Sequence, residues 1–265
     1  METLRLPARL VRPHVFYSDT HRGAGDEADQ FARSSGAFLQ WFASVPDDIM
    51  VVELGDGEEL WENPRELVYQ TYGDLELAMR RRAMAGNMVR VLGNHNWDLW
   101  PETPLGTWWP SYSIPGVFYA EHGHQADVLN YQAGWIGRAA TVCAGALERI
   151  GVRPVDAWSR LRRESALLRK LGSAMDRGND AYQERARSFW REGFPVYIQG
   201  HTHDPELKPD QAGSYVNTGD WYNHRTLTLC AGDLGLQGDV SEWPSLLSLA
   251  QGGTSHESHD SRRDG

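Results

Sequence analysis

Six of the ten histidines in this 265-residue chain fall in five short polar clusters that also hold Asp19, Asp56 and Asn94. The clusters are Asp19-Thr20-His21, Gly55-Asp56, Gly93-Asn94-His95, Glu121-His122-Gly123-His124 and Gly200-His201-Thr202-His203. In Asp19-x-His21 alternate extended side chains share one side, so a carboxylate and an imidazole can hold one cation. His201-x-His203 repeats that spacing with two imidazoles. Asp56 offers two oxygens and can bridge two ions, Asn94 adds a neutral oxygen, and His122 adds a nitrogen. Mixed nitrogen and oxygen donors without a thiolate suit two adjacent divalent transition ions better than one tetrahedral structural zinc. A pair of such ions can activate a water and clamp the oxygens of a phosphorus centre. The spacing therefore predicts hydrolysis of a phosphoester or phosphoanhydride. Any one of these histidines alone would read as a surface or hydrogen-bonded core residue; the five clusters in this order carry the chemistry.

Each cluster must be placed by an element, and each follows a short apolar run. Residues 15–17, 49–54, 88–92, 117–120 and 196–199 lead into the five clusters, and 214–216 and 226–230 are two further runs. Runs of this length bounded by glycine read as buried strands. Amphipathic stretches over 27–43 and 64–85 read as helices between the first three strands, an α/β pattern. In such folds the carboxyl ends of the strands line the ligand crevice, which is where all five clusters fall. Residues 128–193 switch to helical periodicity and predict a helical insertion between two cluster-bearing strands. Residues 251–265, polar and without apolar anchors, read as a disordered tail after one domain over 1–250.

Composition narrows the class. Hydrophobic residues make up 40%, and 36 acidic against 26 basic residues give a net charge of −10. The mean hydropathy is −0.55. The acidic balance argues against a nucleic-acid partner, since phosphate backbones are held mainly by Lys and Arg. No run reaches membrane-spanning length, the amino terminus lacks a secretory apolar region, and Cys143 and Cys230 read as buried thiols of a reducing compartment. A cytoplasmic location follows as the expectation. The charge is uneven, however: residues 125–195 carry a net +4 and the remainder −14. Within that segment Arg160, Arg162, Arg163, Arg169 and Lys170 lie beside Leu161, Leu167, Leu168 and Leu171, a pattern suited to an anionic ligand or a peripheral contact with a membrane surface. Trp97, Trp100, Trp108, Trp109 and Tyr112 follow the third cluster as an aromatic loop able to wall the site or pack within itself.

The order D-x-H, G-D, G-N-H, H and G-H-x-H resembles the calcineurin-like metallophosphoesterase superfamily from Asp19 to Asp220. The resemblance implies a four-layer αββα sandwich with a helical insertion, or lid, at about 125–195. It also implies a dinuclear site in which Asp19, His21 and His203 bind one ion, Asn94, His122 and His201 bind the other, and Asp56 bridges them. Mn²⁺ is the favoured ion, with Fe, Zn or Co also compatible with the donors. His95 would contact the scissile phosphate and protonate the leaving oxygen.

Finer pieces look like the UDP-2,3-diacylglucosamine pyrophosphohydrolase branch, whose members cleave a lipid-linked pyrophosphate in lipid A synthesis and cover the acyl chains with a helical insertion. Those pieces are Gly55-Asp56-x-x-Glu59-x-Trp61, Gly200-His201-Thr202-His203-x-Pro205 and Asn217-x-Gly219-Asp220-Trp221. As isolated residues, Trp61 and Trp221 read as core aromatics. Three positions depart from the pattern. Asn96 stands where an acid is usual, which leaves His95 without a carboxylate partner unless Asp98 turns back, and so favours substrates with a good leaving group. His124 replaces an acid and reads equally as a neighbour of the ligands or as exposed. Thr20 replaces a leucine whose side chain points away from the ions. Two other readings remain open: a phosphatase or phosphodiesterase of soluble nucleotides or phosphoproteins, and an inactive scaffold, although scaffolds of this kind typically lose ligands that are all present here.

Overall fold

The computed structural model describes residues 2–99, 108–126, 142–143, 146 and 178–252. Two five-stranded sheets form the centre. The first runs β10-β1-β2-β3-β4, with β1 (Glu2–Tyr17), β2 (Met50–Leu54), β3 (Met88–Val91) and β4 (Trp108–Trp109) parallel and β10 (Thr226–Asp239) antiparallel to β1. The second runs β5-β6-β7-β9-β8. Here β6 (Phe118–Ala120), β7 (Val196–Gln199) and β9 (Ser214–Asn217) are parallel, while β5 (Tyr112–Ile114) and β8 (Glu206–Pro209) are antiparallel edges.

The alternation of side chains along each strand sets the layers. Phe16, Val52, Leu54 and Val91 face inward and meet Phe118, Ala120, Val196, Ile198 and Val216 of the second sheet. Their neighbours Val15, Tyr17, Val51 and Met88 face the other way, onto helices. Those helices are α1 (Ser35–Ser44), α2 (Arg65–Thr71) and α3 (Gly73–Met84), with a final helix after β10. On α1, Phe38, Trp41 and Phe42 recur at helical spacing and are buried. On α3, Leu75 and Met79 do the same. Helix α4 (Gly178–Arg191) covers the second sheet, setting Tyr182 and Ala186 on Tyr197 and Tyr215. The order of layers is thus helix, sheet, sheet, helix, the expected αββα sandwich.

Several boundaries differ from the sequence expectation. The 27–43 stretch is a short 3₁₀ turn, Phe31–Arg33, followed by α1. The 64–85 stretch breaks at Tyr72, where φ −115° and ψ 32° leave the helical region ahead of Gly73. Tyr72 donates its hydroxyl to Asp29 Oδ2 at 2.6 Å, which ties the break to the preceding loop. The 226–230 run continues to Asp239 because the amino-terminal half of β1 pairs with it. Trp108, Trp109 and Tyr112 belong to strands β4 and β5 rather than to a loop. Helix α5 (Trp243–Gly252) was not expected; its last turn takes in residues 251–252 of the supposed tail. Residues 253–265, Trp100, the basic cluster 160–171 and most of the expected insertion lie outside the described residues. Among the described residues, no helix is long and apolar enough to cross a membrane.

Candidate metal centre

All parallel strands of both sheets end on the same side, and their carboxyl-terminal loops are stitched together by the backbone. Asp19 N–H donates to Gly55 O at 3.1 Å, His21 N–H to Asp56 O at 2.9 Å, and Gly200 N–H to His122 O at 3.0 Å. Ser18 Oγ lies 2.7 Å from Thr218 Oγ1 and donates to Gly219 O, which ties the first sheet to the second. These contacts force the loops into tight turns. Among the described residues six non-glycine positions have positive φ, and five of them are Asp19, His21, Asp56, His201 and His203. Left-handed backbone costs of order 1 kcal/mol or more at each such residue. It persists only where the surroundings over-determine it, and here it coincides with five of the seven residues read as ligands.

Glycines of the motifs make room for those side chains. A Cβ on Gly93 would stand 2.0 Å from Asp56 Oδ1, one on Gly200 2.5 Å from Asp19 Oδ2, and one on Gly55 2.6 Å from the His122 ring. The conformational demand matters only at Gly55, whose φ is +85°; at Gly93 and Gly200 the close approach itself excludes any side chain.

The structure brings all seven residues together. Ligand atoms of Asp19, His21 and His203 form one group within 4.8 Å of one another, and those of Asp56, His122 and His201 form a second. Asp56 Oδ2 is 3.1 Å from His122 Nε2 and 3.9 Å from His21 Nε2, so it faces both groups. Asn94 Oδ1 is 3.2 Å from His122 Nε2 and joins the second.

Hydrogen bonds on the far ring nitrogens aim the imidazoles. His122 Nδ1 donates to Leu54 O at 2.8 Å. His21 Nδ1 donates to Glu59 Oε2 at 2.8 Å, and Tyr222 Oη holds His203 Nδ1 at 2.5 Å. A carbonyl or carboxylate can only accept, so in the neutral rings of His122 and His21 the Nε2 lone pair points inward. The centre then holds His122 Nε2, Asp56 Oδ2 and Asn94 Oδ1 facing one another, acceptors without a donor. Asp19 Oδ1 is likewise buried with no well-aligned hydrogen-bond donor, although His203 Nε2 is 3.2 Å away. Only a proton or a cation resolves such an arrangement.

The electrostatics agree. Burial alone would raise the Asp19 and Asp56 carboxyls, but His122 and its neighbouring imidazoles outweigh it and hold both well below the carboxylate range. Burial would lower His122, yet Asp56 and Asp19 raise it to about 9. A divalent ion would take the place of that proton. The donor set and its geometry therefore fit divalent cations.

His95 stands beside the centre, with Nε2 4.0 Å from Asp56 Oδ2. Its Nδ1 is 2.7 Å from Glu59 Oε1, and its ring stacks on Trp61 at 3.9 Å between centroids. Two expectations are corrected here. Asn96 does not leave His95 without a carboxylate, because Glu59 supplies one from the loop after β2, three residues past Asp56; Asp98 is not needed. Trp61 is not an ordinary core aromatic but the floor under that imidazole, whereas Trp221 is core, wholly buried against Phe38 and Trp41. Glu59 therefore holds both His21 and His95, and burial, which would raise it, is overcome by His95 and His21 so that it sits at about 2. The grouping of His21, Glu59 and His95 is a hydrogen-bonded triad rather than a third ligand set.

His124 is buried, its ring 5.5 Å from that of His122 and 5.6 Å from that of Trp97. Burial and then the charge of His122 push it down to about 3, so it stays neutral beside the ligands. Thr20 points away from the centre, donating to Gly57 O.

Sequence reasoning assigned no role to Glu58, Glu59, Tyr222, Arg22 or Arg90. The available signal was their position, since Arg22 follows His21 directly and Glu58-Glu59 closely follows Asp56.

No family model matches this sequence, and no curated protein sequence matches it. Solved structures similar in chain path include a cold-active protein tyrosine phosphatase at 15% identity and a TM-score of 0.47, covering 87% of this chain and 77% of that one. Vacuolar protein sorting 29 from Cryptosporidium parvum is similar at 12% identity and a TM-score of 0.41, covering 86% of each chain. A novel archaeal phosphodiesterase is similar at 13% identity and a TM-score of 0.38, covering 85% and 98%.

Proposed function

We propose that this chain is a dinuclear metal-dependent hydrolase of phosphoesters or phosphoanhydrides. The observation that carries the reading is the convergence of imidazole, carboxylate and amide groups from five strand-end loops, held by left-handed backbone at Asp19, His21, Asp56, His201 and His203. Asp19, His21 and His203 would hold one ion, Asn94, His122 and His201 the other, and Asp56 both. Divalent ions there supply Lewis acidity toward a phosphoryl oxygen and an activated water. The donors accept several transition ions, and Mn²⁺ is the one we propose.

His95 does the proton work in this reading. Glu59 accepts from Nδ1 and fixes the ring, so that Nε2 faces the centre, where it can bind a phosphoryl oxygen and pass a proton to the leaving oxygen. With that carboxylate in place, the chain is not restricted to activated leaving groups.

Within this class, the net +4 of residues 125–195 with its interleaved leucines supports a nucleotide- or lipid-linked phosphoanhydride, of which UDP-2,3-diacylglucosamine is the candidate, and a peripheral contact with the cytoplasmic face of a membrane. A soluble nucleotide or phosphoprotein is the alternative. Equal rates on UDP-2,3-diacylglucosamine and its deacylated form would decide for the alternative.

The test of the class is direct. Protein stripped by chelator and reloaded with Mn²⁺ should hydrolyse bis(p-nitrophenyl) phosphate, with the activity lost on stripping and regained on reloading. No turnover together with no bound metal would refute it and leave the scaffold reading.

A further inference from the structure

Behind the candidate centre lies a set of charged side chains that the proposed chemistry does not use. Arg22, Glu53, Glu58 and Arg90 are almost completely buried. Arg22 Nη1 donates to Glu53 Oε1 at 2.7 Å and Nη2 to Glu58 Oε1 at 2.8 Å. Arg90 Nε donates to Glu53 Oε2 at 2.6 Å, Nη2 to Glu58 Oε1 at 2.5 Å and Nη1 to Glu76 Oε2 at 3.0 Å. The Arg90 guanidinium lies flat over Trp108, 3.8 Å from the ring centroid. Desolvating four charges is costly, and packed apolar residues of similar volume often serve stability as well or better. A purely structural filler would not need this arrangement.

The placement of its members points to a purpose. Glu58 accepts from three side chains, Arg22 and Asn96 on two loops of the site and Arg90 on β3. Arg22 is the residue after His21. Glu58 itself lies two residues after Asp56, and an isolated bridge between Arg22 and Glu58 joins those two loops. Asn96, the residue after His95, donates Nδ2 to Glu58 Oε2 at 3.0 Å while its Oδ1 accepts from Gly93 N–H at 2.7 Å. Gly93 is the residue on which Asp56 rests, and His95 N–H donates to Asp56 Oδ1 at 2.9 Å. The chain of contacts from Glu58 therefore ends on Asp56, His21 and His95 at once.

We infer that Glu58 is a positioning residue for the metal centre: through Arg22 and Asn96 it fixes the spacing of the three first-sheet loops that carry Asp19, His21, Asp56, Asn94 and His95. This inference rests on the proposed dinuclear hydrolase. Glu58 touches neither substrate nor ion and acts only through its partners. A carboxylate is required because both oxygens must accept, one from two guanidinium groups and the other from the Asn96 amide.

That requirement gives a specific test. In Glu58→Gln the new amide can serve only one side, so a donor meets a donor either at Asn96 or at the arginines. In the double variant Glu58→Gln, Asn96→Asp the amide of residue 58 donates to the carboxylate of residue 96. The other oxygen of residue 96 still accepts from Gly93 N–H, and the net charge is unchanged. Mn²⁺ affinity by titration calorimetry and turnover of bis(p-nitrophenyl) phosphate would be measured at 20 °C, with folding checked by circular dichroism. The single variant is expected to lose about tenfold or more in both, and the double variant to return to within about threefold of the original protein. If Glu58→Gln does not fold, Asn96→Ala removes only one of the three donors and is expected to lose about tenfold in Mn²⁺ affinity. A folded Glu58→Gln or Asn96→Ala protein with unchanged affinity and turnover overturns the inference, as does a double variant no better than the single one. If the original protein itself takes up no Mn²⁺ and hydrolyses nothing, the hydrolase reading falls and this inference falls with it.

Discussion

Loops from the first sheet reach the candidate centre over a buried grid of charge, whereas those from the second reach it over aromatic rings. Beneath His21, Asp56 and His95 lie Arg22, Glu53, Glu58, Arg90 and Glu76, joined by bonds of 2.5–3.0 Å. Beneath His122 and His201 lie Tyr197, Tyr215, Tyr119 and Phe189, stacked with centroids 3.8–6.2 Å apart, and the buried carboxylate of Glu121, shared by Arg185 and Tyr197. The first half aims carboxylates, an amide and the imidazoles of His21 and His95; the second supplies imidazoles alone. Rings tolerate small displacements because packing is non-directional, while charge-assisted hydrogen bonds fix direction. Directional support is thus concentrated around Asp56, which faces both ligand groups, and around His95.

The comparison is broken most severely at its shared member. Asp56→Ala removes the group that faces both halves, and the expectation is loss of both ions with turnover down by more than about a hundredfold. Metal analysis after dialysis and the aryl phosphodiester assay check it. One retained ion with normal turnover would deny Asp56 its bridging place. Gly93→Ala should give the same phenotype, because its Cβ would fall 2.0 Å from Asp56 Oδ1.

Next in size is Glu59→Gln, which weakens the hold on His21 and His95 together. Turnover should fall about 10- to 100-fold, with the loss in maximal rate exceeding the loss in Mn²⁺ affinity if the His95 contact matters more. Steady-state kinetics at saturating Mn²⁺ separate the two.

Stability sharpens the contrast further. Glu53→Gln leaves the Arg22 and Arg90 guanidinium groups buried with less compensation and should cost about 3–5 kcal/mol in urea unfolding. Glu121→Gln should cost roughly 1–2 kcal/mol, since Arg185 is 29% exposed and can turn to water. Equal costs would mean that the two halves are supported alike.

A pH-dependent effect belongs to the seam between the sheets. His14 of β1 bonds Tyr112 of β5 through Nε2 at 3.0 Å and packs against Phe118 of β6, and burial lowers it to about 4. An unfolded histidine titrates near 6.5. Between those values the unfolded chain binds the proton and the native one does not, so stability is complete above about pH 6.5 and declines as pH falls toward 4. Between pH 7 and pH 5 the loss is about 2 kcal/mol. In His14→Gln the drop in melting temperature between pH 7 and pH 5 should be smaller than in the original protein. An unchanged drop would place the acid sensitivity elsewhere.

How far the sequence reveals this arrangement differs between the two halves. His201-x-His203 and His122 stand out by residue type, and the alternation of apolar residues gives the strands that carry them. On the first-sheet side, Asp19, Asp56 and Asn94 are equally visible, but their support is not. Arg22, Glu53, Glu58 and Arg90 are charged residues that composition places at the surface, and nothing local says that opposite charges from two strands and two loops meet in the interior. The role of Glu59 was hidden for a related reason: its partner His95 lies 36 positions on. The missed strands β4, β5 and β8 are two to four residues long and borrow their hydrogen bonds from neighbours, so no period could announce them. Helix α5 was hidden because its buried Trp243, Leu246 and Ala250 are separated by serine and proline, and acquire meaning only against the helix-facing side of β10.

Anomalous diffraction from crystals grown with Mn²⁺ tests the central claim most directly. Two manganese peaks per chain are expected, one within reach of Asp19, His21 and His203 and one within reach of Asn94, His122 and His201, with Asp56 between them. A single peak, or none at millimolar Mn²⁺, would contradict that claim.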